Sequence, residues 1–112
     1  VHTANTAMGI GAVEAQIASG KTEDFYTTAW GGTSLELDAI RDGTLDATPM
    51  RMSDDIGSAA AESVKAVLEG RADELPLVFL GRMVIAHKGM SGEEIDALEA
   101  EAFRYSGLAP VK

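Results

Sequence analysis

Short apolar, β-branched stretches alternate along this chain with stretches that have helical periodicity and helix caps, and this alternation limits the possible folds most. The apolar start at residues 1–4 precedes Asn5, a candidate N-cap, and a helical apolar spacing that ends near Gly20. Residues 24–30 are rich in aromatic and β-branched types, and Thr33–Glu36 then matches a capping box. The first half therefore predicts strand, helix, strand, helix.

The second half continues the alternation. Residues 44–48 are a third strand candidate, and Ser53 supplies an N-cap for a helix that ends at Gly70. Two short strand-like runs flank Gly81 within residues 76–87. Ser91–Glu94 is a further capping box, and it opens an amphipathic helix that we expect to pack against a partner surface and to stop at Gly107.

This order of elements predicts an α/β fold with a mostly parallel sheet and flanking helices. Strands that alternate with helices are joined by right-handed crossovers, which place the strands parallel and the helices on the sheet faces. Ligands of such sheets bind beyond the carboxyl ends of the strands. The candidate ligand loops are therefore "TANT" (3–6), "WGGTS" (30–34) and "MRMSDD" (50–55).

Charge and composition exclude several classes of function. The formal net charge of -9 repels phosphate backbones, so we expect no nucleic-acid contact. The chain has no cysteine, which excludes disulfides and thiolate chemistry but fits any redox compartment. No run of apolar residues reaches the roughly 18 to 20 that a membrane span needs. Residues 1–11 lack the pattern of a signal peptide.

A catalytic or metal site is not indicated. His2 and His87 are far apart and belong to no metal-ligand spacing, and the chain has no nucleophile elbow or phosphate loop. The glycines near residues 9–11 and 31–32 do not form a dinucleotide fingerprint. We therefore expect a protein that is not an enzyme and that carries no cofactor or metal.

Three ordered stretches of the chain are "ANTAMGIGAVEAQIASGK", "AWGGTSLELDAIRDGTLDATPMRMSDDIG" and "AAAESVKAVLEG". Together they resemble the C-terminal half of type I periplasmic sugar-binding proteins of ABC importers. The most specific part is "AIRDGTLDAT" followed within ten residues by "DDIG". The resemblance covers roughly residues 1–88.

The resemblance implies part of an incomplete two-lobed clamshell, the periplasmic-binding-protein type I fold. Residues 1–48 would form the second part of the C-terminal ligand-binding lobe, and residues 49–53 a hinge crossing. Residues 54–88 would supply a helix and strands of the other lobe with the return crossing, and residues 89–112 a C-terminal helical extension without a matched role. The rest of the protein, with any signal peptide, would lie upstream of Val1.

The family's ligand contacts map onto three positions. Asn5 matches an Asn that hydrogen-bonds sugar hydroxyls, although the acid that often follows it is Thr6 here. Gly31 stands where the family has an Asp that accepts hydrogen bonds from the sugar. Arg51 stands where the hinge contact is commonly Gln. Trp30 is a fourth candidate, because an aromatic face can stack on a sugar ring, although core packing explains it as well.

Arg51 leaves three alternatives open. Its stem could cover apolar surface, its guanidinium could bind a carboxylate or phosphate of the ligand, or it could pair with an acid of the other lobe. A neutral sugar and a sugar-derived ligand with an acidic group therefore both fit.

The resemblance implies a periplasmic solute-binding protein that captures a sugar or sugar derivative, closes about its hinge and docks on an ABC permease. The alternative is the effector-binding domain of a LacI-type transcription regulator, which would need a DNA-binding headpiece upstream. An isolated half could also pair with another copy to cover its sheet edge.

Overall fold

The structure, a computed structural model, describes residues 1–103. This part of the chain contains four α-helices and two strands, together with 3₁₀ helices at Thr22–Asp24 and Ala72–Glu74. In chain order the elements are α1 (Thr6–Ser19), α2 (Ser34–Arg41), β1 (Ala47–Arg51), α3 (Ser53–Leu68), β2 (Met83–His87) and α4 (Gly92–Ala102).

Local capping chemistry fixes three of the helix starts, as the sequence predicts. The Asn5 Oδ1 accepts a hydrogen bond from the backbone N–H three residues on, at 2.9 Å, and so caps α1. The Glu36 carboxylate accepts the Thr33 N–H at 2.8 Å in the capping box of α2. Ser91 and Glu94 form the reciprocal pair that opens α4. The start of α3 differs, because its N-cap position is taken by Met52 without a side-chain cap.

The sequence predicts the C-terminal ends of the helices less completely than their starts. Gly20 and Gly70 lie in the left-handed region just past α1 and α3, at φ 69° and 73°, as expected of C-terminal glycines. The last helix ends at Ala102. Its predicted stop, Gly107, lies outside the described residues.

The predicted mostly parallel sheet, and with it the clamshell fold class, is wrong for the described residues. Their continuous ladder is a two-stranded antiparallel sheet of β1 and β2, in register from Ala47 opposite His87 to Arg51 opposite Met83. Parallel pairing is limited to isolated bridges that involve residues 2, 28 and 31. The predicted strands at 1–4 and 24–30 contain only a few extended residues before a turn or helix begins. The bridges therefore do not extend into a ladder.

Two further strand predictions also fail. The strand expected at 44–48 begins at Ala47, because residues 44 and 45 close the end of α2. The N–H groups of Thr44 and Leu45 both donate to the Ala39 carbonyl, at 2.9 and 3.0 Å. The strand-like run predicted at residues 76–80 forms no strand, and residues 75–82 have no regular structure.

The core lies among the β1–β2 sheet, α1, α2 and α4. Its largest fully buried apolar side chains are Leu37, Leu45, Met50, Met52 and Ile95. Since Ile95 belongs to α4, that helix packs on its own chain, and its packing against a partner surface stays a prediction. We call this packed part the body.

Residues 53–82, which we call the arm, contribute little to the core. Only Ala66 of α3 is buried, whereas Ile56, Val64, Val67 and Leu68 are each more than half exposed. These apolar side chains of α3 are therefore largely uncovered by the other described elements. None of the described helices is long and apolar enough to span a bilayer.

Candidate functional site

The three predicted ligand loops lie next to one another. The bridges align residue 2 with 28, 28 with 47, and 31 with 50 in parallel, so the chain segments end at the same side. The Gly31 N–H donates to the Pro49 carbonyl at 3.1 Å, which joins the second loop to β1. A Cβ built on Gly31 would lie 2.8 Å from the Thr6 Oγ1, which joins it to the first loop. We call residues 5–6, 30–33 and 50–51 the turn cluster.

Asn5 is exposed in the turn cluster and uses its side-chain oxygen as the cap of α1. Its side-chain amide nitrogen has no hydrogen-bond partner among residues 1–103. An amide nitrogen carries two donors, so Asn5 can present them to a ligand oxygen.

Arg51 is exposed at the end of β1, and its guanidinium has no ion pair or hydrogen bond with another described residue. Alternation along the strand buries Thr48 and Met50 on one face, so Arg51 lies on the opposite face, beside its cross-strand neighbour Met83. Met83 is more than half exposed. The stem of Arg51 can thus cover apolar surface while its guanidinium is available to an anion.

The two glycines of the second loop have backbone conformations that suit glycine. Gly31 has φ 151° and Gly32 has φ 69°. Gly32 is buried against Met50, and a Cβ added there would lie 2.6 Å from the Met50 Cβ. Trp30 is half-buried, so part of its surface is accessible to a ligand. The loop is therefore seated on β1 by backbone contact.

Glu36 is a member of this site that sequence reasoning assigned only to capping. Its side chain is completely buried, and one carboxylate oxygen, Oε2, accepts the Thr33 N–H. The other oxygen, Oε1, has no hydrogen-bond partner in the described structure. A Cβ on Gly31 would lie 3.2 Å from Oε2 and 3.7 Å from Oε1. The carboxylate therefore packs closely against Gly31, and a side chain at position 31 would clash with the Thr6 hydroxyl at 2.8 Å.

The base of the arm is held by a charge cluster that the sequence did not indicate. The Arg82 guanidinium donates to both oxygens of Asp55, at 3.0 and 3.1 Å, and to Glu101 at 2.6 Å. These hydrogen bonds to Arg82 hold the pKa of Asp55 below its ordinary value. Asp55 lies near the start of the arm and Arg82 at its end. Their ion pair therefore holds the two ends of the arm next to each other.

Neither histidine joins a metal site. The Nδ1 of His2 lies 2.6 Å from the Thr28 hydroxyl oxygen, and that of His87 lies 3.0 Å from the Lys88 carbonyl. Within residues 1–103, no group of three or more His, Asp or Glu side chains is arranged to hold a metal ion.

No protein-family model matches the sequence. The relation to sugar-binding proteins therefore rests on the quoted motifs alone.

Proposed function

We propose that this chain is part of a periplasmic solute-binding protein that captures a sugar or sugar-derived small molecule for an ABC importer. The observation that supports this proposal best is the turn cluster, in which Asn5, Gly31 and Arg51 lie at one end of neighbouring chain segments. Loops gathered at the ends of strands are where small polar ligands bind in many α/β proteins.

The chemistry of the cluster suits a ligand rich in oxygen atoms. The amide of Asn5 can donate to hydroxyl or carbonyl oxygens, and the guanidinium of Arg51 can donate two parallel hydrogen bonds to a carboxylate. A neutral sugar uses the first contact, and a sugar acid uses both. The half-buried Trp30 adds an aromatic surface for a ring face.

The two connections between body and arm suit a closure mechanism. The chain leaves the body after Arg51 and returns at Met83, and these residues are cross-strand neighbours. A ligand that contacts both the body and the arm would bind a closed state more tightly and shift the population toward it.

Isothermal titration calorimetry on the full-length protein tests the proposal. The probes are D-glucose, D-galactose and D-ribose with the matching acids D-glucuronate and D-galacturonate. We expect at least one probe to bind to the wild type. Asn5→Ala should weaken the binding of that probe, and Arg51→Gln should weaken the binding of the acids selectively. Each loss should be about tenfold or more, as loss of a charge-assisted hydrogen bond predicts. Arg71→Gln is the control, since Arg71 is ion-paired within the arm to Glu69 and Glu74.

The outcomes separate the alternatives. If neutral sugars bind far more tightly than the acids, Arg51 is not an anion contact, although sugar capture stands. If no probe binds, or if Asn5→Ala and Arg51→Gln both bind as the wild type does, the proposed function is wrong.

A further inference from the structure

We propose that Asp55, Arg82 and Glu101 form a salt-sensitive brace that resists twisting of the arm on the body. The three side chains make one ion-pair cluster, in which Arg82 contacts both carboxylates. The inference goes beyond the proposed function, because it concerns how the arm is held when no ligand is bound.

The arm is otherwise held loosely. It is joined covalently to the body at its two ends, after Met52 and before Met83. Only Ala66 of α3 is buried, and the 3₁₀ helix at Ala72–Glu74 that lies beside α3 belongs to the arm itself. The first turns of α3 and Phe103, which follows α4, line a groove of about 250 Å³. Apolar packing therefore does little to fix the orientation of the arm.

The Arg82 guanidinium binds the two carboxylates through different edges. Its Nε and Nη2 donate to the two oxygens of Asp55, at 3.0 and 3.1 Å. Its Nη1 donates to Oε1 of Glu101 at 2.6 Å. A guanidinium is planar and its N–H groups point in fixed directions, so it holds both carboxylates relative to one rigid plane.

The two carboxylates belong to different parts of the molecule. Asp55 lies in the first turn of α3, at the start of the arm. Glu101 lies in the last turn of α4, and this helix is anchored in the core by the completely buried side chains of Ile95 and Ala102. A twist of the arm on the body moves Asp55 relative to Glu101. Such a twist must open one of the two contacts of Arg82.

The exposure of the cluster makes the brace sensitive to salt. The Asp55 side chain is 15% exposed, whereas those of Arg82 and Glu101 are 47% and 43% exposed. Salt screens exposed ion pairs more strongly than partly buried ones. The contact between Arg82 and Glu101, which joins arm to body, is therefore the one that salt weakens first.

A second cluster on α4 provides a matched control. Glu99 pairs with Arg41 of α2 at 3.2 Å, and both helices belong to the body. Glu99→Gln thus removes one charge and one arginine contact from the same helix as Glu101→Gln. It leaves the contacts between arm and body intact.

The test measures distances between two spin labels in the full-length protein without ligand, by pulsed electron paramagnetic resonance. The labels are attached at Ala61→Cys on α3 and Ala15→Cys on α1, both exposed positions, after any other cysteine is replaced by serine. In Glu101→Gln, the share of the distance distribution outside the main peak should rise about two- to fivefold, as loss of an exposed ion pair predicts. Glu99→Gln should match the wild type.

Salt provides a second readout on the unmutated cluster. An increase from about 0.05 M to about 1 M NaCl should broaden the wild-type distribution toward that of Glu101→Gln, because the Debye length falls to about 3 Å at 1 M. The same increase should change Glu101→Gln much less.

Each outcome decides. If Glu101→Gln has the distribution of the wild type, or if Glu99→Gln broadens it equally, the brace is refuted. If Glu101→Gln does not fold, the salt series on the wild type decides, and a distribution that salt leaves unchanged refutes the inference. Because no ligand is used, none of these results depends on the proposed function.

Discussion

Replacement of Gly32 by alanine tests the contact that seats the second ligand loop on β1. Gly32 is buried at φ 69°, and an added Cβ would lie 2.6 Å from the Cβ and 2.7 Å from the Cα of Met50. Real Cβ atoms do not approach other carbon atoms this closely, so the loop must lift or β1 must shift. Since Met50 precedes Arg51, any shift also displaces the candidate anion contact.

The magnitude follows from two separable costs. A non-glycine residue in the left-handed region costs about 1–2 kcal/mol. Overpacking against fixed backbone adds about 1–3 kcal/mol. We expect Gly32→Ala to lower the free energy of unfolding by about 2–5 kcal/mol, a large share of the roughly 5–15 kcal/mol typical of a domain.

Gly20→Ala is the matched control. Gly20 has the same φ of 69°, but a Cβ there meets nothing within 4 Å. It therefore has the conformational cost of about 1–2 kcal/mol without the clash. The difference between the two variants measures the contact with Met50 alone.

Urea unfolding, followed by far-ultraviolet circular dichroism of the full-length protein, provides the measurement. With a slope of about 1–3 kcal/mol per molar urea, the expected loss lowers the midpoint of Gly32→Ala by about 1 M or more. The double variant Gly32→Ala, Met50→Ala should lose less than the sum of its single changes, because removal of the Met50 side chain relieves part of the clash. Equal midpoints for Gly32→Ala and Gly20→Ala would refute the packing of the loop on β1.

Two further predictions concern the arm and α4. Because Arg82 lowers the pKa of Asp55 from its ordinary 3.8, the stability from this pair is present above that value and is lost as the pH falls through the lowered pKa. The urea midpoint, measured from pH 7 downward, should decrease at pH values below about 4. We expect a less steep decrease with pH in Arg82→Met. The same decrease in both proteins would contradict the coupling between Arg82 and Asp55. Ser91→Ala should cost about 1 kcal/mol through loss of the α4 cap. Ser34→Ala should cost less, because Ser34 is exposed and is not the N-cap of α2, and equal losses in the two variants would count against the cap.

Sequence reasoning located the helices well because their signals are local. The caps at Asn5, Thr33 and Ser91 each join residues that are three positions apart in the chain. Both hydrogen-bonding partners are therefore visible in a short stretch of sequence. The glycines past α1 and α3 likewise act through their own backbone conformation. These features need no knowledge of the rest of the molecule.

The sheet was predicted wrongly because strand pairing depends on distant residues. An alternating order of strands and helices favours parallel crossovers, but the arm reverses the chain and brings β2 back antiparallel to β1. The loops at residues 5–6, 30–33 and 50–51 were expected to lie together, and the structure places Gly31 next to Thr6 and Pro49. The ligand-binding role of Asn5, Gly31 and Arg51 stays a prediction. The burial of Glu36 was missed because its capping role accounts for it in the sequence, and its close packing against Gly31 is visible only in three dimensions.

The paired exit and return of the chain also restrict how the arm can move. The two connections leave from Arg51 and Met83, which are opposite each other in the ladder. The Cα atoms of such a pair are about 4.5–5.5 Å apart, so the line that joins them is a short axis fixed in the sheet. Rocking about that line deforms few bonds, whereas twisting would stretch one connection against the other and strain the Arg82 contacts with Asp55 and Glu101. If the arm moves relative to the body, we expect that motion to reduce to essentially one angle, which a single pair of distance labels could follow.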